Sequence, residues 1–378
     1  MKYFIIAGEP SGDLHGSNLI LGLKSADSDA QILFWGGDLM QKAGGTLLMH
    51  YRKLAIMGFV NIVLNIRTLA KNLALCKKQV LHHSPEVLIL IDFPGFNLRM
   101  ARFAKTHRIK VFYYISPKIW AWNESRIKKI KRDVDRMFII FPFEVGFYKK
   151  HDVGVEYFGN PLVDEMERRK TTFTDPGDMR KLLGLDDRPV IALLAGSRKH
   201  EVKHVLPEMI RIVKYFPEFQ FVLAGVRNIP ESVYTKIIGK NPVRVVVNKT
   251  YELLFLAYAA LVTSGTATLE TALAGIPQVV CYKGDFLSMV VAWMVVKVEY
   301  ISLVNLIMDS EVVKELVQYD LTLNKLLMEF KAIIKGGEKR ERILSDYQSL
   351  REKLGPSGAS SRIALEMVKS LRKDDIRS

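Results

Sequence analysis

Short apolar runs bounded by small, turn-forming residues recur along the whole chain, and most are followed by a segment of helical periodicity. Residues 3–7 (YFIIA), 31–35, 87–91 (VLILI), 111–115, 137–140 and 155–158 form one set. Residues 189–194, 219–224, 243–247, 260–263 and 278–282 form a second. Uninterrupted runs of this length suit strands buried on both faces, and the helical segments between them predict two parallel, doubly wound α/β sheets. In a long helix expected over residues 59–81, Phe59, Ile62, Val63, Ile66, Leu69, Ala70 and Leu73 share one face. Val60 and Leu64 fall outside that face, beside Arg67 and Lys71. An apolar pair among cations suits contact with an anionic bilayer or an acyl chain, although stray surface apolar residues need no function.

The turns at the strand ends carry the candidate chemistry. Residues 261–277 (LVTSGTATLETALAGIP) read as a strand end, a tight turn at Ser264, Gly265 and Thr266, and a helix opening from it. The unpaired N–H groups and dipole of such a helix attract an anion, and Gly265 admits a phosphate close to the backbone. Glu270, one turn further on, is placed to accept from the two hydroxyls of a ribose; the alternative is a plain capped turn followed by a solvated acid. Residues 195–198 (AGSR) repeat the small-residue turn and add Arg198, whose paired N–H donors suit a diphosphate. Near the N-terminus, residues 8–13 (GEPSGD) lead into a helix expected over residues 14–25. This turn is not a dinucleotide fingerprint, so it either faces a substrate through Ser11 and His15 or is an ordinary βα loop. Asp92 ends the strand at 87–91, next to Phe93, Pro94 and Gly95, where a carboxylate reads as a general base or as a cap for the next helix.

Composition narrows the setting. A chain of 378 residues, 49% hydrophobic and 25% charged, is long for one core and ordinary for a globular protein of two domains. The boundary is expected between residues 164 and 178, giving domains over 1–168 and 169–344 facing a cleft. A helical tail over 345–378 would pack across the domains or onto a partner, including a second copy in a homodimer. Two cysteines, Cys76 and Cys281, without a metal or paired-thiol spacing fit a reducing, cytoplasmic location. The longest uncharged runs are too short to span a bilayer, and the start of the chain does not read as a signal peptide. A net charge of +15 spread over both halves calls for an acidic partner, but no nucleic-acid module is recognisable.

The blocks GEPSGDLHG, IDFPGFN, YYISPKIWAW, FPFE, LAGSR, SGTATLE and YISLVNL, in this order over nearly the whole chain, resemble the bacterial lipid-A-disaccharide synthase family. The resemblance implies a GT-B type fold of two Rossmann-like domains. It implies inverting transfer of 2,3-diacylglucosamine from its UDP derivative to the 6-hydroxyl of 2,3-diacylglucosamine 1-phosphate, a monosaccharide lipid phosphate, at the cytoplasmic face of the inner membrane. Carried over, the catalytic acid falls on Asp92, the diphosphate arginine on Arg198, the phosphate turn on Ser264, Gly265 and Thr266, and the ribose acid on Glu270, with Asn305 near the donor. Lys118 stands where the family commonly has Ser, Ala195 and Val304 where it has Pro, and Asn160 where it has His. No cofactor is implied. The two D-x-D spacings, Asp27/Asp29 and Asp133/Asp135, sit in a polar turn and a basic helix, so no metal is expected. Other readings kept open are a UDP-N-acetylglucosamine epimerase, a peptidoglycan-precursor glycosyltransferase and a non-catalytic nucleotide-sugar-binding regulator.

Overall fold

The computed structural model describes residues 1–54, 66–122, 124–173, 175–284, 299–334 and 336–375. The chain divides into two compact units, residues 1–164 with 355–378, and residues 165–354. Val60 and Leu64 lie outside the described residues.

The first unit is built on seven parallel strands: β1 (Lys2–Ala7), β2 (Gln31–Gly36), β3 (Thr46–His50), β4 (Val87–Ile91), β5 (Lys110–Tyr114), β6 (Arg136–Ile139) and β7 (Glu156–Tyr157). Their spatial order is β3-β2-β1-β4-β5-β6-β7, so the winding reverses between β1 and β4. Those two central strands pair from Tyr3 opposite Val87 to Ala7 opposite Ile91, and all five residues of β4 are buried. Both faces are covered, which is why β4 reads as VLILI with no polar alternation. The edge strand β3 is only partly buried, and its sequence TLLMH carries no such signal, so the apolar pattern does not mark it as a strand. Phe4, Ile6, Trp35, Leu88, Leu90, Met100 and Tyr113 lie at the centre of the core.

Two helices differ from the sequence expectation. The first begins at Pro10 and runs to Ala26, four residues earlier than residue 14. Proline at its first position presets φ for a helix, and the Asp13 N–H already donates to the Glu9 carbonyl at 3.0 Å. His15 therefore sits in the second turn and not at the helix start. The second helix is described over Ile66–His83. Its core side is Leu69, Leu73, Cys76 and Val80, whereas Ala70 is exposed along with Arg67 and Lys71.

The second unit repeats the plan with β8 (Val190–Leu194), β9 (Gln220–Gly225), β10 (Val243–Val247), β11 (Ala257–Thr263), β12 (Gln278–Tyr282) and β13 (Glu315–Val317). The order β10-β9-β8-β11-β12-β13 again places the reversal at the centre, between β8 and β11. The helix Arg340–Leu354 belongs to this unit, while the last helix, Ala359–Asp375, belongs to the first.

That last helix lies along Pro10–Ala26, where an added Cβ on Gly22 would stand 2.8 Å from the Ala364 Cβ. Its start is capped from far away in sequence: the Asp164 carboxylate accepts from the N–H groups of Gly358, Ala359 and Ser360 at 2.6, 3.2 and 3.0 Å. Arg362 donates to the Phe158 carbonyl through Nε and Nη2. Asp164→Ala should cost about 1–2 kcal/mol of local stability, the usual loss on removing such a cap. Amide hydrogen exchange across residues 359–375 should then speed up about tenfold or more while β8 to β12 stay protected.

Candidate active site

Each sheet reverses its winding once, and ligands of doubly wound folds bind beyond the carboxyl ends of the strands at that point. In the first unit this is beyond the ends of β1 and β4, with Asp92 in the turn after β4 and Ser11 and His15 in the first two turns of the helix that follows β1. Ser11 is exposed in the first helical turn, and His15 is buried. Asp92 and Phe93 both adopt left-handed backbone, with φ of 44° and 49°. Such a pair is unfavourable for residues with a Cβ and needs surrounding contacts to hold it. Asn97 and Tyr113 provide them: the Asn97 Nδ2 donates to the carbonyls of Asp92 at 2.8 Å and Ile91 at 3.1 Å, and the Tyr113 hydroxyl donates to the Asp92 carbonyl at 2.7 Å. On the other side Phe93 presses against Gly8, where a Cβ would overlap its ring. Glycine at position 8 is thus what lets the two turns approach.

The backbone of Asp92 is fixed, and its carboxyl group is poorly solvated. Burial raises its pKa from the ordinary 3.8 to about 6; the Lys118 charge opposes the rise and the Glu9 charge adds to it. A carboxylate of this strength is mostly ionised at neutral pH and basic enough to take a proton from a hydroxyl during reaction. The aspartates of the D-x-D spacings serve otherwise. Asp27 binds the chain N-terminus and the Tyr3 hydroxyl, Asp133 is paired with Arg102 and Arg132, and Asp135 with Lys105.

In the second unit the turns after β8 and β11 follow the two paired strands at the reversal. Gly265 precedes the helix Thr266–Leu273 with φ 152°, a conformation that favours glycine. The Ser264 hydroxyl donates to the Ile301 carbonyl at 2.7 Å, so it fixes the turn, while the exposed Thr266 contributes a hydroxyl beside the turn's backbone N–H groups. Arg198 stands at the start of the helix Lys199–Ile210 with an exposed side chain, and Glu201 accepts from the N–H groups of Ser197 and Arg198 at 3.0 and 3.2 Å. Glu270 follows in the Thr266–Leu273 helix, its pKa raised by burial and its Oε1 accepting from the Tyr251 hydroxyl at 2.8 Å. Asn305 is fully buried. Its amide donates to the Val313 carbonyl and to Glu315, and its carbonyl accepts from the N–H groups of Val312 and Val313. The structure brings Arg198, Ser264, Gly265, Thr266 and Glu270 to one edge of one sheet, with Asn305 shaping the segment behind it.

Over residues 3–367 the sequence matches the lipid-A-disaccharide synthetase family. The lipid-A-disaccharide synthase of Syntrophus aciditrophicus is 36% identical over 98% of both chains, and that of Geobacter metallireducens 34% over 97% of both. The chain belongs to the lipid-A-disaccharide synthase family. It is a glycosyltransferase that forms the lipid A disaccharide from a nucleotide-sugar donor and a lipid acceptor. Among solved structures, a UDP-GlcNAc 2-epimerase from Neisseria meningitidis bound to UDP-GlcNAc superposes with a TM-score of 0.70, covering 98% of this chain and all of that one at 13% identity. A glycosyltransferase from Rickettsia africae gives 0.59 at 10% identity and 98% coverage of each. At such identities the likeness is one of fold, the GT-B type with its two Rossmann-like units, and the epimerase reading gains nothing further from it.

In this synthase family member the FPFE block holds a residue whose task the sequence does not reveal. Glu144 is buried, and its Oε1 accepts from the Ser116 hydroxyl at 2.6 Å and the Trp120 indole N–H at 3.2 Å. Its Oε2 accepts from the Phe141 N–H at 3.1 Å, and the Tyr148 hydroxyl donates to Ser116. Burial pushes its pKa up to about 7 against these bonds. Glu144 thereby pins both ends of the turn after β5 that carries Lys118, and joins two motifs whose sequence separation hides the contact. Asn97 is hidden for the same reason, since its partners include Ile6 as well as the neighbouring strand end.

The raised pKa of Asp92 has a thermodynamic consequence. Because the unfolded chain ionises near 3.8 and the folded one near 6, ionisation costs nothing below about pH 4, and the cost is complete above about pH 6. Asp92→Asn should therefore stabilise the first unit at pH 7 by up to about 3 kcal/mol, and the gain should vanish below about pH 4 in denaturant titrations at several pH values.

Proposed function

We propose that the protein transfers a diacylglucosamine unit with inversion, using Asp92 as general base. The observation that carries this reading is the setting of Asp92: a carboxyl group of pKa about 6, held on strained backbone at the winding reversal of the first sheet. Asp92 removes the proton from the acceptor 6-hydroxyl as its oxygen attacks the anomeric carbon of the donor. The bond from that carbon to the UDP oxygen breaks on the opposite face, which inverts the configuration. Negative charge gathering on the departing diphosphate is met by the N–H groups opening the Thr266–Leu273 helix and by Arg198, while Glu270 holds the ribose. The first unit thus serves the acceptor, with Ser11 and His15 beside it, and the second serves the donor. Asn305 contributes by bracing the segment around residues 301–315.

The test is product analysis combined with a pH profile. Purified protein incubated with UDP-2,3-diacylglucosamine and 2,3-diacylglucosamine 1-phosphate should give the disaccharide phosphate and UDP by mass spectrometry. Asp92→Asn should lower kcat about 10²- to 10⁴-fold with UDP binding nearly intact, while His15→Gln costs much less. In the wild type kcat/KM should fall as pH drops through about 6, because the base becomes protonated. Greater damage from His15→Gln than from Asp92→Asn in folded protein would transfer the role to His15.

We further propose that the protein works against the anionic inner-membrane surface on its cytoplasmic face. Support comes from the +15 charge, the lipid acceptor and the sequence pattern that sets Val60 and Leu64 a few residues before Arg67 and Lys71. Among the described residues no helix is long and apolar enough to cross a membrane. Replacing Val60 and Leu64 with Ser should release protein from anionic vesicles, with each lost apolar insertion worth roughly 1–2 kcal/mol at most. Equal sedimentation of the variant and the wild type would place the contact elsewhere.

A further inference from the structure

Glu270 ends a chain of four side chains, all within the second unit, that begins with Glu165 and Arg169 on the helix Pro161–Thr172. The Tyr251 hydroxyl, on the helix Thr250–Leu256, donates to Oε1 of Glu270 at 2.8 Å. The guanidinium of Arg169 lies over the Tyr251 ring, 4.1 Å from its centroid. Arg169 is held in turn by Glu165, a fully buried carboxylate one helical turn earlier that also accepts from Arg168 at 2.6 Å. No sequence motif links residues 165, 169, 251 and 270. They form one continuous path from the buried Glu165 carboxylate, through the partly exposed Arg169, to the acid assigned to the ribose.

Each link has a physical consequence for the next. A glutamate has three rotatable bonds, so without support it meets a ribose in many orientations; a hydrogen bond to one oxygen fixes the carboxylate plane and turns the other oxygen in a set direction. A cation over the face of a phenol is attracted by the ring and makes its O–H a stronger donor. Burial opposes ionisation of Glu270, and the Tyr251 hydrogen bond and the Arg169 charge both favour the anion, the form that accepts from sugar hydroxyls.

We propose that Tyr251 and Arg169 are positioning residues for nucleotide recognition, Tyr251 orienting the Glu270 carboxylate toward the ribose hydroxyls and Arg169, locked by Glu165, keeping Tyr251 in place. The inference rests on the reading of Glu270 as the ribose acid. Its signature is selectivity for hydroxyls, since fixing the carboxylate matters only to a ligand that donates to it.

Calorimetric affinities for UDP and for 2′,3′-dideoxyuridine diphosphate, which lacks both hydroxyls, test it on full-length protein. Wild type should prefer UDP by about tenfold or more, the scale of one charge-assisted hydrogen bond. Tyr251→Phe keeps the ring and its stacking, and should lose most of that preference while holding the dideoxy ligand within about twofold of wild type. Arg169→Gln should move the preference in the same direction, and Tyr251→Phe should have no further effect once Glu270→Gln is present. A Tyr251→Phe variant that retains the full preference overturns the proposal, as does one that loses both ligands equally, which would mark a purely structural role. A wild type that binds the two ligands alike would instead remove the ribose reading of Glu270 itself. Should Tyr251→Phe fail to melt as a folded protein, the same pair of affinities measured on Arg169→Gln decides between positioning and a purely structural role.

Discussion

A parallel sheet wound in both directions leaves a crevice at the reversal, because the connections from the two central strands run to opposite faces of the sheet. In the first unit the Asn97 amide ties the two strand ends together there. It donates to the carbonyls at the ends of β1 and β4, including Ile6, Ile91 and Asp92. The left-handed pair Asp92 and Phe93 depends on this clamp, with Tyr113 supporting it and Gly8 leaving room for the Phe93 ring. The carboxyl group whose pKa burial raises to about 6 is thus carried on clamped backbone. The second unit secures its turns with other groups: Glu201 collects the N–H groups after β8, and Ser264 ties the turn after β11 to Ile301.

The acidic side chains separate by how their oxygens are used. Asp13 accepts from the N–H groups of Gly37, Leu39 and Met40, Asp164 from those of residues 358–360, and Glu315 from those of Ile301 and Ser302. These carboxylates act as remote caps, and their oxygens are committed to loops. Asp92 and Glu270 are different. Both are disfavoured as anions by burial, and each is partly compensated by a cation, Lys118 for the first and Arg169 for the second. Groups kept in that condition are the ones suited to exchanging a proton or receiving a hydroxyl from a ligand. The loop bearing Lys118 is anchored by Glu144 through Ser116 and Trp120, so a residue far away in sequence supports the position of the cation that lowers the pKa of Asp92.

The two doubly wound sheets and the small-residue turns at their strand ends were legible in the sequence. Continuous apolar runs such as VLILI have few ways to be buried other than in the middle of a parallel sheet, and small-residue turns such as SGT are legible because glycine alone tolerates the φ of Gly265. The sequence did not reveal β3, since an edge strand is covered on fewer sides and needs no unbroken apolar run. Nor did it give the true start of the first helix, where Pro10 outweighs the glycine at position 12. Which polar side chains are bound within the fold emerged from the tertiary contacts. Asn305 reads as a ligand contact from its motif, yet its amide is occupied by the 312–315 segment. Tyr251 and Arg169 read as ordinary helix residues, yet they stand behind Glu270. The physical reason is one of range: helical and strand periodicity, turn sterics and strand burial act over a few residues and leave a mark in sequence, whereas a hydrogen bond between side chains 19 or 69 positions apart is specified only once the backbone has brought them together.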